Sequence, residues 1–294
     1  MPEVRSNGMT ISYETLGDPA DPALLLIMGL GAQLVDWPDE FCGLLAGRGF
    51  HVIRFDNRDI GLSIWLDDLP LPDLGAVFGG DFATVPYLLS DMAADTAGLL
   101  KELGVQQAHV VGASMGGMIA QQLAIDRPDL VASLCSIMST TGDRTVGHPT
   151  AEAAAALMRP PATSREDAIA GAVAGSKAIG SWAFGVFDVP EDEIVRKAAA
   201  KYDRAYHPAG TSRQYGAIVA SPDRTAALGA VTVPTLVVHG EADPLVDVSG
   251  GRATAAAVPG AKLLIIPGMG HDLPRAAWPQ IVDAIVANAG GTAA

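Results

Sequence analysis

Cysteine is nearly absent: Cys42 and Cys135 are the only two in 294 residues. Two isolated thiols do not make a disulfide framework. The opening, Met1–Ser12, has no basic stretch followed by an apolar core, so no secretion signal is expected and the thiols are expected to be reduced core residues of a cytoplasmic protein. No Cys/His spacing of the metal-binding kind occurs, and neither a metal nor another cofactor is expected. Positive charge is scarce as well. With 19 Lys and Arg against 33 Asp and Glu, the formal net charge is −14. That balance disfavours nucleic acid and anionic membrane surfaces as partners. A small-molecule ligand and a monomer or homodimer are expected instead. Long apolar runs are missing too: the longest, Ala23–Met28, suits a buried strand and is far too short to span a bilayer.

What is present is a packed, globular composition, 49% apolar and only 18% charged. Its length allows one large domain or two small ones. Met9–Leu16 alternates loosely and pairs with residues 2–6 in a hairpin around Asn7-Gly8. Ala23–Met28 reads as a central parallel strand buried on both faces, ending in the corner Gly29-Leu30-Gly31. A helix over Trp37–Arg48 has Pro38 in its first turn and Gly49 past its end. His51–Phe55 is a strand, Ile64–Pro86 is irregular, and Tyr87–Leu103 is a helix stopped at Gly104. A strand from Ala108, a helix from Met115 to just before Pro128, and a strand over Leu130–Ile137 follow. The alternation breaks at Ser139. Thr140–Ala220 shows no strand, several helical pieces, and the aromatics Trp182, Phe184, Phe187, Tyr202, Tyr206 and Tyr215. It resumes with a strand at Pro234–His239, a helix at Asp247–Val258, a strand at Lys262–Ile266 and a helix at Ala276–Asn288, before a frayed tail from Ala289. Strands alternating with helices predict an α/β fold with a largely parallel sheet flanked by helices. Residues 1–140 and 221–294 then form the core, and 141–220 form a helical lid after the sixth strand.

The stretch Gly112-Ala113-Ser114-Met115-Gly116 sits between a strand and a helix. A turn this tight needs glycine on either side, and it lifts the Ser114 hydroxyl to a helix N-terminus, where unpaired N–H groups favour negative charge. The alternative is a glycine-rich turn whose serine merely caps the helix. A serine nucleophile needs a base, and the base needs an acid to orient it. Ligands of parallel α/β sheets collect at the carboxyl ends of the strands. Asp243 and His271 each lie just past such an end, giving the order Ser114, Asp243, His271. Glu241 and Asp247 compete for the acid role. Asp272 is expected to face solvent. His239 is expected to pack or hydrogen-bond, His109 to be structural, and His51, His148 and His207 to lack matching partners. The backbone N–H groups of Leu30 and Met115 are the expected oxyanion donors.

Taken together these pieces resemble the α/β-hydrolase superfamily over nearly the whole chain. They are the corner at Leu24–Gly31, Asp56-x-Arg58-x-x-Gly61-x-Ser63, the Ser114 elbow, the strand leading through His239-Gly240 to Asp243, and Gly268-x-Gly270-His271. The resemblance implies an eight-stranded sheet and cofactor-independent serine hydrolase chemistry on a carboxylic ester. Leu26-Ile27-Met28-Gly29, Trp37-Pro38-Asp39-Glu40-Phe41 and Arg58-Asp59 are further similar to the aclacinomycin methylesterases, which implies a methyl ester on a bulky, polyketide-like substrate. Lactonase, perhydrolase and C–C hydrolase activities share the same triad and stay open, as does a non-catalytic binding relative. Serine at the nucleophile position argues against dehalogenase and epoxide hydrolase chemistry, which use aspartate there. Two departures stand out. Met28 replaces the common histidine before Gly29, removing a brace of the oxyanion corner. Asp59 replaces a glycine, so its loop is expected to turn differently, with Asp56 and Arg58 paired across it. Expected substrate contacts are Trp182, Phe184, Phe187 and Tyr215 from the lid and Leu30, Met115, Met138 and Leu245 from the core.

Overall fold

Asn7 and Gly8 both take positive φ, 50° and 79°, as a two-residue hairpin turn requires. They join β1 (Glu3–Ser6) to β2 (Met9–Leu16). In the computed structural model, which describes residues 1–181 and 190–291, this hairpin is one edge of an eight-stranded sheet. The other strands are β3 (Ala23–Ile27), β4 (His51–Phe55), β5 (Ala108–Ala113), β6 (Val131–Ile137), β7 (Thr235–Gly240) and β8 (Lys262–Ile266). Their order is β1-β2-β4-β3-β5-β6-β7-β8, antiparallel as far as β2–β4 and parallel from there on.

The continuous apolar run of β3 is explained by burial on both sides. Leu25 and Ile27 face α3 (Leu89–Glu102) and α4 (Met115–Asp126), while Leu24 and Leu26 face α1 (Asp39–Ala46) and α11 (Trp278–Asn288). All four side chains are fully buried, each contributing about 1.5–3 kcal/mol. Cys42 and Cys135 are buried and not bonded to each other.

Several helix starts differ from those the sequence predicts. Trp37 is extended (φ −81°, ψ 103°) and α1 begins at Asp39, because a residue before proline is pushed out of the helical region. Leu88 is likewise extended, and its N–H donates to the Asp91 carboxylate at 2.8 Å, which sets the first turn of α3. The irregular stretch 64–86 holds a one-turn helix, α2 (Leu74–Phe78), capped by the Asp73 side chain.

Between β6 and β7 lie α5 (Ala151–Leu157), α6 (Arg165–Ile179), α7 (Glu191–Arg204), α8 (Pro208–Ala220) and α9 (Thr225–Leu228), with no strand among the described residues. α10 (Val248–Ala257) lies between β7 and β8. Neither α6 nor α7 has a fully buried residue, so apolar burial alone does not seat this segment. Charged pairs at the carboxyl ends of the strands add to it. Arg204 of α7 reaches Asp56 at 2.7 Å, and Arg213 of α8 grips Asp59 through two hydrogen bonds of 2.9 Å. Both aspartates are fully buried.

These ties correct two expectations. Asp56 and Arg58 do not pair with each other. Arg58 turns away to Asp95 of α3 at 2.6 Å, while Asp56 accepts from the N–H groups of Leu34 (2.7 Å) and Leu62 (2.9 Å) as well as from Arg204. Asp59 takes φ 70°, the left-handed region glycine enters most easily and aspartate tolerates better than most. Its carboxylate is held there by Arg213, by the Tyr87 hydroxyl at 2.9 Å and by the Leu66 N–H at 2.8 Å. His207 does have partners: its ring stacks on Trp65, with Nδ1 2.9 Å from the Asp59 carbonyl and Nε2 2.7 Å from the Asp67 carboxylate.

Candidate active site

Ser114 joins β5 to α4 with φ 56° and ψ −121°, a strained geometry worth about 1–3 kcal/mol. Its N–H donates to the Ile137 carbonyl at 2.9 Å. The flanking glycines are required by space. A Cβ on Gly112 would run into the Gly116 backbone, and one on Gly116 into the Ile27 carbonyl. The two glycines let the elbow sit directly over the end of β3.

Past β7, the Asp243 carboxylate is buried. Its Oδ1 accepts from the Leu245 and Val246 N–H groups, each at 2.9 Å. Its Oδ2 accepts from His271 Nδ1 at 2.7 Å. Burial opposes the charge on Asp243, but the imidazole of His271, hydrogen bonds from His239 and His271, and the Val246 N–H outweigh it and hold the carboxyl well below its usual range. With Nδ1–H donating to Asp243, Nε2 of His271 is left to accept from the Ser114 hydroxyl, 3.0 Å away. The structure thus brings Ser114, His271 and Asp243 into one hydrogen-bonded line across 157 residues of sequence. This is the geometry a general base needs to take a proton from a hydroxyl.

The competing acids are elsewhere. Asp247 caps α10, accepting from Ser249 N–H at 2.8 Å, and Glu241 is exposed. His239 packs beneath Asp243, with Nε2 2.7 Å from the Val246 carbonyl, and His109 meets Ser133 Oγ at 2.9 Å. Asp272 does not face solvent as expected: it accepts from the Ser181 N–H at 3.0 Å and from the Ser181 hydroxyl. The close approach of the end of α6 to the His271 loop turns it inward.

The N–H groups of Leu30 and Met115 have no acceptor among the described residues. The corner carrying Leu30 stands against the nucleophile, since a Cβ on Gly29 would lie 3.1 Å from that of Ser114. The corner is held by residues that sequence reasoning misses. Asn57 Nδ2 donates to the Met28 carbonyl at 3.0 Å, and Gly31 N–H donates to Gln214 Oε1 at 2.9 Å. Gln214 also donates to the Arg58 carbonyl at 2.9 Å, tying α8 to the same loop. Asn57 is visible inside the Asp56–Ser63 motif, but nothing near Gln214 in the sequence marks it.

Ser114 and His271 open into a cavity of about 1040 Å³. Leu30, Met138, Tyr215 and Leu245 line it, as expected of substrate contacts. Met115 does not: its side chain is fully buried in the apolar core between the sheet and α3. Trp182, Phe184 and Phe187 lie outside the described residues. A second hollow of about 480 Å³ adjoins the first, sharing Leu30, Leu157, Lys201 and Tyr215. Among the described residues no group of three or more His, Cys, Asp or Glu is arranged to hold a metal ion, and no helix is long and apolar enough to cross a membrane.

The chain is 30% identical to the rhodomycin D methylesterase DnrP of Streptomyces peucetius, over 97% of this chain and 96% of that protein. It is 30% identical over the same shares to the rhodomycin D methylesterase DauP of Streptomyces sp. (strain C5). Among solved structures, the enol-lactonase from Burkholderia xenovorans LB400 superposes with a TM-score of 0.75 at 21% identity, covering 98% of this chain and 99% of that one. Residues 22–274 match the profile of the alpha/beta hydrolase fold, and with the sheet order and the Ser114 elbow described above, the chain belongs to that family.

Proposed function

We propose that the protein hydrolyses a carboxylic ester through an acyl-enzyme on Ser114. The observation that carries this reading is the Ser114–His271–Asp243 hydrogen-bond chain opening into the large cavity. Ser114 Oγ attacks the ester carbonyl carbon as its proton passes to His271 Nε2. The carbonyl π pair moves onto oxygen, facing the Leu30 and Met115 N–H groups. Asp243 stays ionised, keeps the imidazole in the correct tautomer and stabilises its cation. His271 then protonates the leaving alcohol oxygen, the C–O bond breaks, and the acyl group remains on Ser114. Water repeats the sequence, releasing the acid and restoring the hydroxyl.

The substrate is a methyl ester of a bulky, largely apolar, polyketide-like acid. The cavity is at the upper end of the range of about 300–1000 Å³ usual for ligand sites, far more than a short acyl ester fills, and the similarity to two rhodomycin D methylesterases supports the same reading. The helices between β6 and β7 act as a lid over it. Hydrolysis of a p-nitrophenyl acyl ester by the wild type, abolished in Ser114→Ala and in His271→Ala, tests the chemistry. The double variant should be little worse than either, because the two act as a unit; additive losses would refute the assignment. A panel of bulky methyl, short acyl, long acyl and lactone esters, ranked by kcat/KM, tests the substrate class. Preference for lactones, or for short acyl chains, would overturn it.

A further inference from the structure

The mechanism above makes no use of Asp272, yet this residue is bound into the fold beside the proposed base. His271 N–H donates to the Ile179 carbonyl at 2.7 Å. Gly270 N–H donates to Ser181 Oγ at 2.9 Å, the Ser181 N–H donates to Asp272 Oδ2 at 3.0 Å, and the Ser181 hydroxyl donates to Asp272 Oδ1. The end of α6 and the His271 loop are so close that a Cβ on Gly270 would lie 2.6 Å from the Ile179 carbonyl oxygen. Glycine is therefore required there. These bonds make a clasp between residues 179–181, in the segment inserted after β6, and residues 270–272, which carry the imidazole.

We propose that this clasp lets the inserted segment position His271, with Asp272 supplying a second negative charge beside the imidazole in addition to Asp243. The proposal rests on the reading of His271 as general base, and Asp272 is a positioning residue that acts through it. The other charged groups nearby are already engaged. His239 lies behind Asp243, Arg275 reaches over Trp278 and to Glu40, and Lys177 of α6 pairs with Glu191. Asp243 is bonded to this ring directly, while Asp272, held by Ser181, adds its charge from the adjoining position in the loop. Burial pushes the Asp272 carboxyl above its ordinary range, against the lowering pull of its Ser181 hydrogen bonds and of His271. An acid whose folded pKa is raised costs stability as pH rises through that pKa. A clasp serving only to hold the fold would therefore lose nothing electrostatic as an amide.

The test follows the His271 imidazole by nitrogen-15 NMR through a pH titration, in the full-length wild type, Asp272→Asn and Ser181→Ala. Thermal unfolding and ester hydrolysis are measured alongside. In Asp272→Asn the imidazole signals should move to lower pH than in wild type, because an anion favouring the charged form is gone. The variant should unfold no earlier than wild type, and kcat should fall about tenfold with KM nearly unchanged. Ser181→Ala keeps the carboxylate but frees the loop, so kcat should fall with a smaller change in the titration. An unmoved His271 titration in Asp272→Asn would overturn the proposal. So would failure of that variant to fold, which would make the carboxylate a structural element. Absence of ester hydrolysis in the wild type would instead refute the functional reading, while the titration still decides the role of Asp272.

Discussion

Replacing Arg213 with methionine keeps much of the side chain's volume and removes its charge from a site where Arg213 and Asp59 are both almost completely buried. Arg213 gives Asp59 two hydrogen bonds of 2.9 Å. Removing one partner of a buried ion pair costs about 3–5 kcal/mol, because the other charge is left uncompensated. Here Asp59 keeps the Leu66 N–H and the Tyr87 hydroxyl, so the expected loss for Arg213→Met is near the lower end, about 3 kcal/mol. At roughly 2–4 °C per kcal/mol for a large domain, Tm should fall by about 6–12 °C. The double variant Asp59→Asn/Arg213→Met leaves no charge behind, and asparagine tolerates the left-handed backbone at this position. It should recover most of the stability, to within about 1.5 kcal/mol of wild type. Urea unfolding followed by circular dichroism and by tryptophan fluorescence, with coincident transitions, supplies the free energies. Gln214 adjoins Arg213 and accepts from Gly31 N–H, so kcat should fall in the single variant as the Leu30 corner loosens. A loss below about 1 kcal/mol in the single variant, or a double variant at least as unstable as the sum of the two singles, would refute the reasoning.

Asp243→Asn should leave the fold intact and lower kcat about 10⁴-fold, the scale known for an acid whose loss leaves histidine in the wrong tautomer; Glu241→Gln, at an exposed position, should change kcat less than about twofold, and the reverse ranking would show the acid to be misassigned. The depressed Asp243 carboxyl contributes stability that is fully present above its ordinary pKa of 3.8 and is lost as pH falls toward the lower folded value. Measured by Tm, the advantage of wild type over Asp243→Asn should be constant above about pH 5 and shrink below about pH 4; a gap that widens on acidification would reverse the sign of the argument. Alanine at Met138, Tyr215 or Leu245 should shift the kcat/KM ratio of bulky to small methyl esters by about 10–200-fold while labelling of Ser114 by a small fluorophosphonate proceeds; unchanged ratios in all three would remove these residues from substrate choice.

The parts of this protein legible in its sequence are those in which a residue's neighbours along the chain dictate its conformation. Asn7-Gly8 means a hairpin because both must take positive φ. The unbroken Leu24–Ile27 run means a strand covered on both faces. Gly112 and Gly116 around Ser114 mean an elbow because no side chain fits there. Such local signals, with the rule that ligands gather at strand ends, are enough to single out Ser114, Asp243 and His271 as the candidate triad. They do not reveal what surrounds those three. The local motif pairs Asp56 with Arg58 two residues on, whereas in the fold Asp56 meets Arg204, 148 residues away. Asp59 is held by Arg213 across 154 residues, and Asp272 turns from solvent to Ser181 across 91. The reason is physical. Backbone preference and apolar periodicity act within a few residues and are written in the local sequence. A buried charge must take whichever opposite charge or hydrogen-bond donor the packed layers bring within about 3 Å of it. Only the docking of α6, α7 and α8 over the strand ends decides which groups those are.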